Sequence, residues 1–155
     1  MTLHEAVRWP PSHTPAADVI AALGLEPLPV EGGHWRPQGR SEALSSILFL
    51  LTSDPAGFSA LHRLSCTEGW QWLAGAAAEL TLLDDHGVRR HRLTAQRTLV
   101  VPATTWQGAT TLGAWTLVSC WCAPGYTDEA CTFAERDELT GAFPEAADTI
   151  AALTR

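Results

Sequence analysis

The chain has 155 residues, a formal net charge of −7 and a pI near 5.2, a size that suits one domain able to bury roughly two thirds of its unfolded surface. All ten basic residues are arginine and form no long run. This excludes a Schiff-base lysine or a P-loop on this chain and argues against a nucleic-acid partner.

Residues 1–14 hold Trp9-Pro10-Pro11 and show no periodicity, so they read as an extended arm ahead of a domain spanning 15–155. Nothing in Met1 to Trp9 resembles a signal peptide. Thr14 as N-cap, Pro15 at the first helical position and Gly24 as stop predict a helix with Val19, Ile20 and Leu23 on its apolar stripe. Glu31-Gly32-Gly33 predicts a tight bend into His34-Trp35-Arg36, either an edge strand or a pocket wall. Leu44 to Thr52 is apolar on both faces, as a strand covered on both sides would be. Its longest apolar run, Ile47 to Leu51, falls short of the roughly 18 residues a membrane span needs. The expectation is a cytoplasmic protein with no membrane partner, whose cysteines are thiols.

After the turn at Asp54-Pro55-Ala56-Gly57, period-two alternation places Phe58, Ala60, His62 and Leu64 on one side of the next strand and Ser59, Leu61 and Arg63 on the other. If strand phase survives past Cys66, Glu68, Trp70 and Trp72 join the His62 side and Gln71 points away. Glu79 to Leu83 and Val88 to Leu93 predict a hairpin around Asp84-Asp85-His86-Gly87. Leu99 to Val101 and Trp115 to Ala123 predict further strands, with short amphipathic helices over Phe133 to Phe143 and Pro144 to Leu153. The Cys120-x-Cys122 pair lies along a strand and suits burial better than a zinc ribbon.

His62, Glu68 and Gly75 reproduce most of H-x-H-x(3,4)-E-x(6)-G, the first motif of the cupin superfamily, with Leu64 where the second histidine belongs. Pro102-Ala103-Thr104-Thr105-Trp106-Gln107 echoes the second motif, P-x-G-x-x-H, with Gln107 in the histidine's place. The order of Glu31-Gly32-Gly33-His34-Trp35-Arg36, Phe58 to Arg63, Val101-Pro102-Ala103 and Ala123-Pro124-Gly125 resembles the cupin 5 group, small barrels mostly without an assigned activity. The resemblance runs from about Ala16 onward. It implies an all-β, single-domain cupin, a double-stranded β-helix or jelly-roll barrel, with one helix before it and helices after it. In place of that group's usual Asp and His, this chain has Thr67 and Gln71.

Metal cupins hold their ion with three imidazoles and a carboxylate. Here His62 and Glu68 keep their places, so a metal-dependent enzyme would have to use Gln107 as a third ligand, with His34 in reserve. The leading expectation is a metal-independent enzyme without cofactor, of the isomerase, epimerase, cyclase or lyase kind. In it His62 moves a proton, Glu68 is its partner, Gln107 anchors the substrate, Trp70 and Trp72 form walls, and Arg36 holds an acidic group. The alternative is a barrel that binds a small molecule without reacting it. A thiol nucleophile at Cys66 would have only His62 nearby as a basic partner. Exposed barrel edges and the arm suggest a homodimer.

Overall fold

The computed structural model describes residues 8–155. Along the chain come α1 (Ala16–Leu23), β1 (Glu26–Pro27), β2 (His34–Arg40), β3 (Ser45–Thr52), β4 (Ser59–Leu64), β5 (Thr67–Gly75) and β6 (Ala78–Asp84). Then follow β7 (Gly87–Leu93), β8 (Thr98–Val101), β9 (Trp106–Thr111), β10 (Trp115–Ala123), β11 (Cys131–Phe133), α2 (Arg136–Ala142) and α3 (Ala147–Ala152). The strands form a six-stranded sheet, in the order β1-β2-β3-β10-β5-β8, and a five-stranded sheet, β11-β4-β9-β6-β7. All paired neighbours are antiparallel. The chain thus has the all-β barrel with flanking helices that its strand pattern announces.

Alternation within the strands builds three layers of packing. On β3, Phe49 and Leu51 turn inward to meet Trp70, Leu80, Leu82, Leu93 and Val118 from both sheets. Leu48 and Leu50 turn outward and bury Val19 of α1, together with Leu117 and Trp115. On β4, Leu61 faces out against Leu139, Ile150 and Leu153, so the C-terminal helices cover the five-stranded sheet. Two-sided burial explains why β3 reads as a continuous apolar run.

Several local expectations need correction. Pro15, not Thr14, holds the N-cap position of α1, and the Pro15 carbonyl accepts from the amides of Asp18 and Val19 at 3.0 and 3.1 Å. Thr14 offers its main-chain carbonyl to the Trp115 indole at 2.7 Å. Gly24 ends the helix in the left-handed region, φ 61°, as expected. Of the arm foreseen over residues 1–14, residues 1–7 lie outside those described; Trp9 packs beside α1. Phe58 joins the helix-facing cluster with Leu61, because the pairing of β4 with β9 shifts register between Ser59 and His62. Phe133 belongs to a strand and not to a helix: Cys131, Thr132 and Phe133 pair with Leu64, Arg63 and His62. The free edge of β4 satisfies their backbone groups before Glu135 opens α2.

Ile150 is fully buried against Leu61 and Leu83. Ile150→Ala should lower unfolding free energy by about 2–5 kcal/mol in a denaturant titration. A loss under about 1 kcal/mol would mean that the helices do not share the barrel's packing.

Candidate active site

Two sheets contribute the central side chains. His62 and Gln107 are cross-strand neighbours on β4 and β9, while Glu68 reaches across from β5 of the opposite sheet. His62 is 2% exposed and Glu68 7%. The His62 Nδ1 lies 2.8 Å from the Ala60 carbonyl, which only accepts, so Nδ1 carries a hydrogen. That leaves Nε2 facing Glu68 Oε2 at 3.8 Å, an ion-pair distance too long for a direct hydrogen bond.

A relay of hydrogen bonds fixes the carboxylate. The Trp70 indole donates to Gln107 Oε1 at 2.9 Å, and Gln107 Nε2 donates to Glu68 Oε2 at 2.7 Å. Because an indole N–H can only donate, the amide cannot be reversed without two clashes of like polarity. Gln107 therefore presents its nitrogen end to the site.

Beside these groups lies a cavity of about 380 Å³ lined by Glu31, His62 and Glu68, with Trp35, Ile47, Phe49, Leu64 and Tyr126 among its walls. Glu31 is the residue that the sequence reading missed. It sits in the bend before β2, and its Oε1 accepts from the buried Ser59 hydroxyl at 2.7 Å. The Glu31-Gly32-Gly33 block was legible as a bend and as a possible pocket wall, yet nothing in it announces which side chain turns inward. Gly33, at φ 67°, passes so close to the Phe49 ring and the Leu50 carbonyl that a Cβ there would stand 2.8 Å from each.

Charge and burial oppose each other here. Burial alone would push the His62 pKa down, but the Glu31 carboxylate, followed by Glu68 and the Ala60 carbonyl, outweighs it and holds the value up at about 9. His62 is thus an imidazolium at neutral pH. Burial raises the Glu31 pKa above the usual carboxylate range; His62 pulls it back and Glu68 pushes it further up.

The expected site residues divide. His62, Glu68 and Gln107 converge, with Trp70 behind Gln107 and stacked edge-on to Phe49 at 5.8 Å between centroids. Trp70 and Trp72 do not wall the cavity: Trp70 is buried in the barrel core, while half-buried Trp72 packs against that core and its indole donates to the Ala76 carbonyl at 3.0 Å. Trp35, Phe49 and Tyr126 supply the aromatic walls instead. Arg36 is exposed on β2 and outside the lining, so it does not hold a ligand's acidic group there; Arg40 lies at the cavity. Gln107 is likewise absent from the lining and acts on Glu68.

All four cysteines cluster near this end of the barrel, Cys120, Cys122 and Cys131 lining the cavity and Cys66 packing on Cys122. Burial raises the pKa of Cys120 and Cys122, leaving their thiols protonated and poorly nucleophilic. Cys131 is held at about 11, again mainly by burial.

The donor set does not fit a transition metal. Leu64 offers no donor, the Gln107 oxygen is taken by Trp70, and the remaining nitrogen is an amide N–H. His34 lies outside the lining, and among the described residues no three His, Cys, Asp or Glu side chains converge as a ligand set.

An antiparallel two-sheet barrel with its polar groups gathered beside one cavity defines a cupin architecture. The family model Cupin_5, "Cupin superfamily (DUF985)", matches residues 17–134, and the chain belongs to that family. It is similar to protein SO0799 from Shewanella oneidensis at 27% identity and a TM-score of 0.84, over 92% of this chain and 98% of that one. A hypothetical protein from Leishmania major shares 24% identity at a TM-score of 0.82, over 91% of this chain and 99% of that one. Oxalate decarboxylase from Bacillus subtilis matches at 14% identity and a TM-score of 0.59, over 83% of this chain and 37% of that one. The last two likenesses speak for the fold alone. No curated protein matches the chain.

Restoring the missing imidazoles tests the donor argument. Purified wild-type protein should retain far less than one equivalent of added manganese or zinc after desalting, whereas Leu64→His with Gln107→His should retain about one. Stoichiometric metal in the wild type, measured by elemental analysis, would contradict it.

Proposed function

We propose that this chain is a small-molecule enzyme that works by proton transfer, with His62 as the acid. The observation that carries the reading is a buried imidazolium flanked by two carboxylates, Glu31 and Glu68, beside a largely apolar cavity. Among the chemistries such a group supports, enolisation fits best. A ligand carbonyl oxygen takes a hydrogen bond from His62 Nε2 and gathers negative charge as the neighbouring C–H bond breaks. The departing proton goes to a carboxylate, for which Glu31 is the candidate base because burial raises its basicity.

If the enolate turns over before Glu31 returns the proton to the same carbon, the result is epimerisation. If Glu31 returns it to the adjacent carbon while the first oxygen takes the His62 proton and a neighbouring hydroxyl gives its own back to the imidazole, the result is isomerisation. Expelling a β-substituent instead makes the enzyme a lyase. Gln107 ties Glu68 down on the other side of the imidazole, with Oε2 3.8 Å from His62 Nε2. No metal enters these steps, since the charge that a Lewis acid would neutralise is met by His62.

The same reading takes the protein as cytoplasmic and homodimeric. Supporting the second point, edge strand β8 carries Val100, 55% exposed beside open backbone groups.

The test is incubation in D₂O with a panel of small carbonyl compounds that have exchangeable α-hydrogens, read by mass spectrometry. One or more should gain solvent deuterium. His62→Ala should slow that exchange by about 10²–10⁴-fold. As pH rises through about 9, kcat/KM should fall because the acid loses its proton. A ligand that quenches Trp35 fluorescence, emerges unlabelled and binds equally well to His62→Ala would make the chain a binding protein.

A further inference from the structure

We infer that Arg155 is a positioning residue for Glu31: its guanidinium staples the bend that carries Glu31 to the start of β4, which carries Ser59 and His62. The proposal rests on reading Glu31 as the working partner of His62. Arg155 Nε donates to the Val30 carbonyl at 3.0 Å, and Nη2 is shared among the carbonyls of Glu31 (3.1 Å), Ala56 (3.2 Å) and Phe58 (2.9 Å). The guanidinium also stacks over the Phe58 ring, 4.1 Å from its centroid. Two segments that are distant in sequence thereby share one planar, permanently charged donor.

The bend needs such a clamp. Val30, a β-branched residue, sits at φ 67°, where L side chains are strained, and its carbonyl is one that Arg155 holds. Gly32, at φ 93°, leaves the space that the guanidinium fills; a Cβ there would collide with it. Among the described residues, two further main-chain bonds tie the bend to the segment around β4, Ala60 N to Glu31 O at 2.8 Å and Gly33 N to Ala56 O at 3.1 Å. The Glu31 carboxyl can then reach Ser59 and the cavity from a fixed backbone. Loss of the fork would leave the strained bend free to relax and carry the carboxylate away from His62.

The experiment is NMR titration of the His62 ring in wild type, Arg155→Ala, Arg155→Lys, Glu31→Gln and the double variant Glu31→Gln with Arg155→Ala. Arg155→Ala should lower the His62 pKa from about 9 in the same direction as Glu31→Gln, and should add nothing to it in the double variant. The sign is diagnostic. Deleting a nearby positive charge by itself raises an imidazole's pKa, so a fall has to come through Glu31; Arg155→Lys, which keeps the charge, separates a carboxylate that has moved from one that has only lost the guanidinium's field. An unchanged or raised value in Arg155→Ala, or full additivity in the double variant, overturns the proposal. Should Arg155→Ala lose its dispersed spectrum, Arg155→Lys decides: it keeps the charge but loses the fork, so it should give a smaller fall, and an unchanged value overturns the proposal. Because the titration needs no substrate, a silent carbonyl panel would end the enzymatic reading without touching this one.

Discussion

A positive charge held where water barely reaches is the constraint around which this barrel is arranged. An isolated imidazolium in a low-dielectric interior would give up its proton, and His62 keeps it because Glu31 and Glu68 face it and Ala60 accepts from its other nitrogen. Neither carboxylate belongs to the strand that carries His62. Glu68 comes from the opposing sheet and Glu31 from the bend before β2, so the charge cluster exists only when the barrel has closed.

The surrounding structure serves that closure. Gln107 and Trp70 form a two-step relay that aims Glu68, with the indole end anchored in the core against Phe49. Such a buried network is favourable only when its members are satisfied, and here the indole nitrogen and the amide nitrogen each meet an acceptor. Outside the barrel, α1 closes one sheet through Val19 and the C-terminal helices close the other through Ile150 and Leu153. The second layer does more than cover apolar surface, since the chain beyond α3 delivers Arg155 to the bend at Glu31. The hydrophobic packing and the polar site are thus joined by one guanidinium.

Much of this was legible in residue order. Period-two alternation from Phe58 to Leu64 and from Glu68 to Trp72 puts His62 and Glu68 on one side, a phase that fails only at Phe58, before the register shift in β4, and the hairpin at Asp84 to Gly87 follows from its turn residues. The resemblance to the cupin 5 group supplied the barrel that brings Gln107 to Glu68. What alternation could not give was which interior residues border the hollow. Trp70 and Trp72 share the right parity but lie further along β5, Trp70 in solid packing and Trp72 half-buried against the core, so period fixes a face and says nothing of position along the strand. Glu31 escaped because it lies in a bend, where side-chain direction follows from backbone torsions and not from periodicity. Phe133 was read as helical because its apolar spacing fits either element, and the free edge of β4 decides between them only in three dimensions.

The protonation state of His62 is the point at which the account is most exposed. A ¹⁵N-resolved spectrum of the ring at pH 7.5 reads it directly. Hydrogens on both nitrogens are the expected result, with Nδ1 bonded to Ala60 and Nε2 charged beside the carboxylates. A neutral ring, with Nε2 bare at that pH, would contradict the account, because His62 would then have no proton to give.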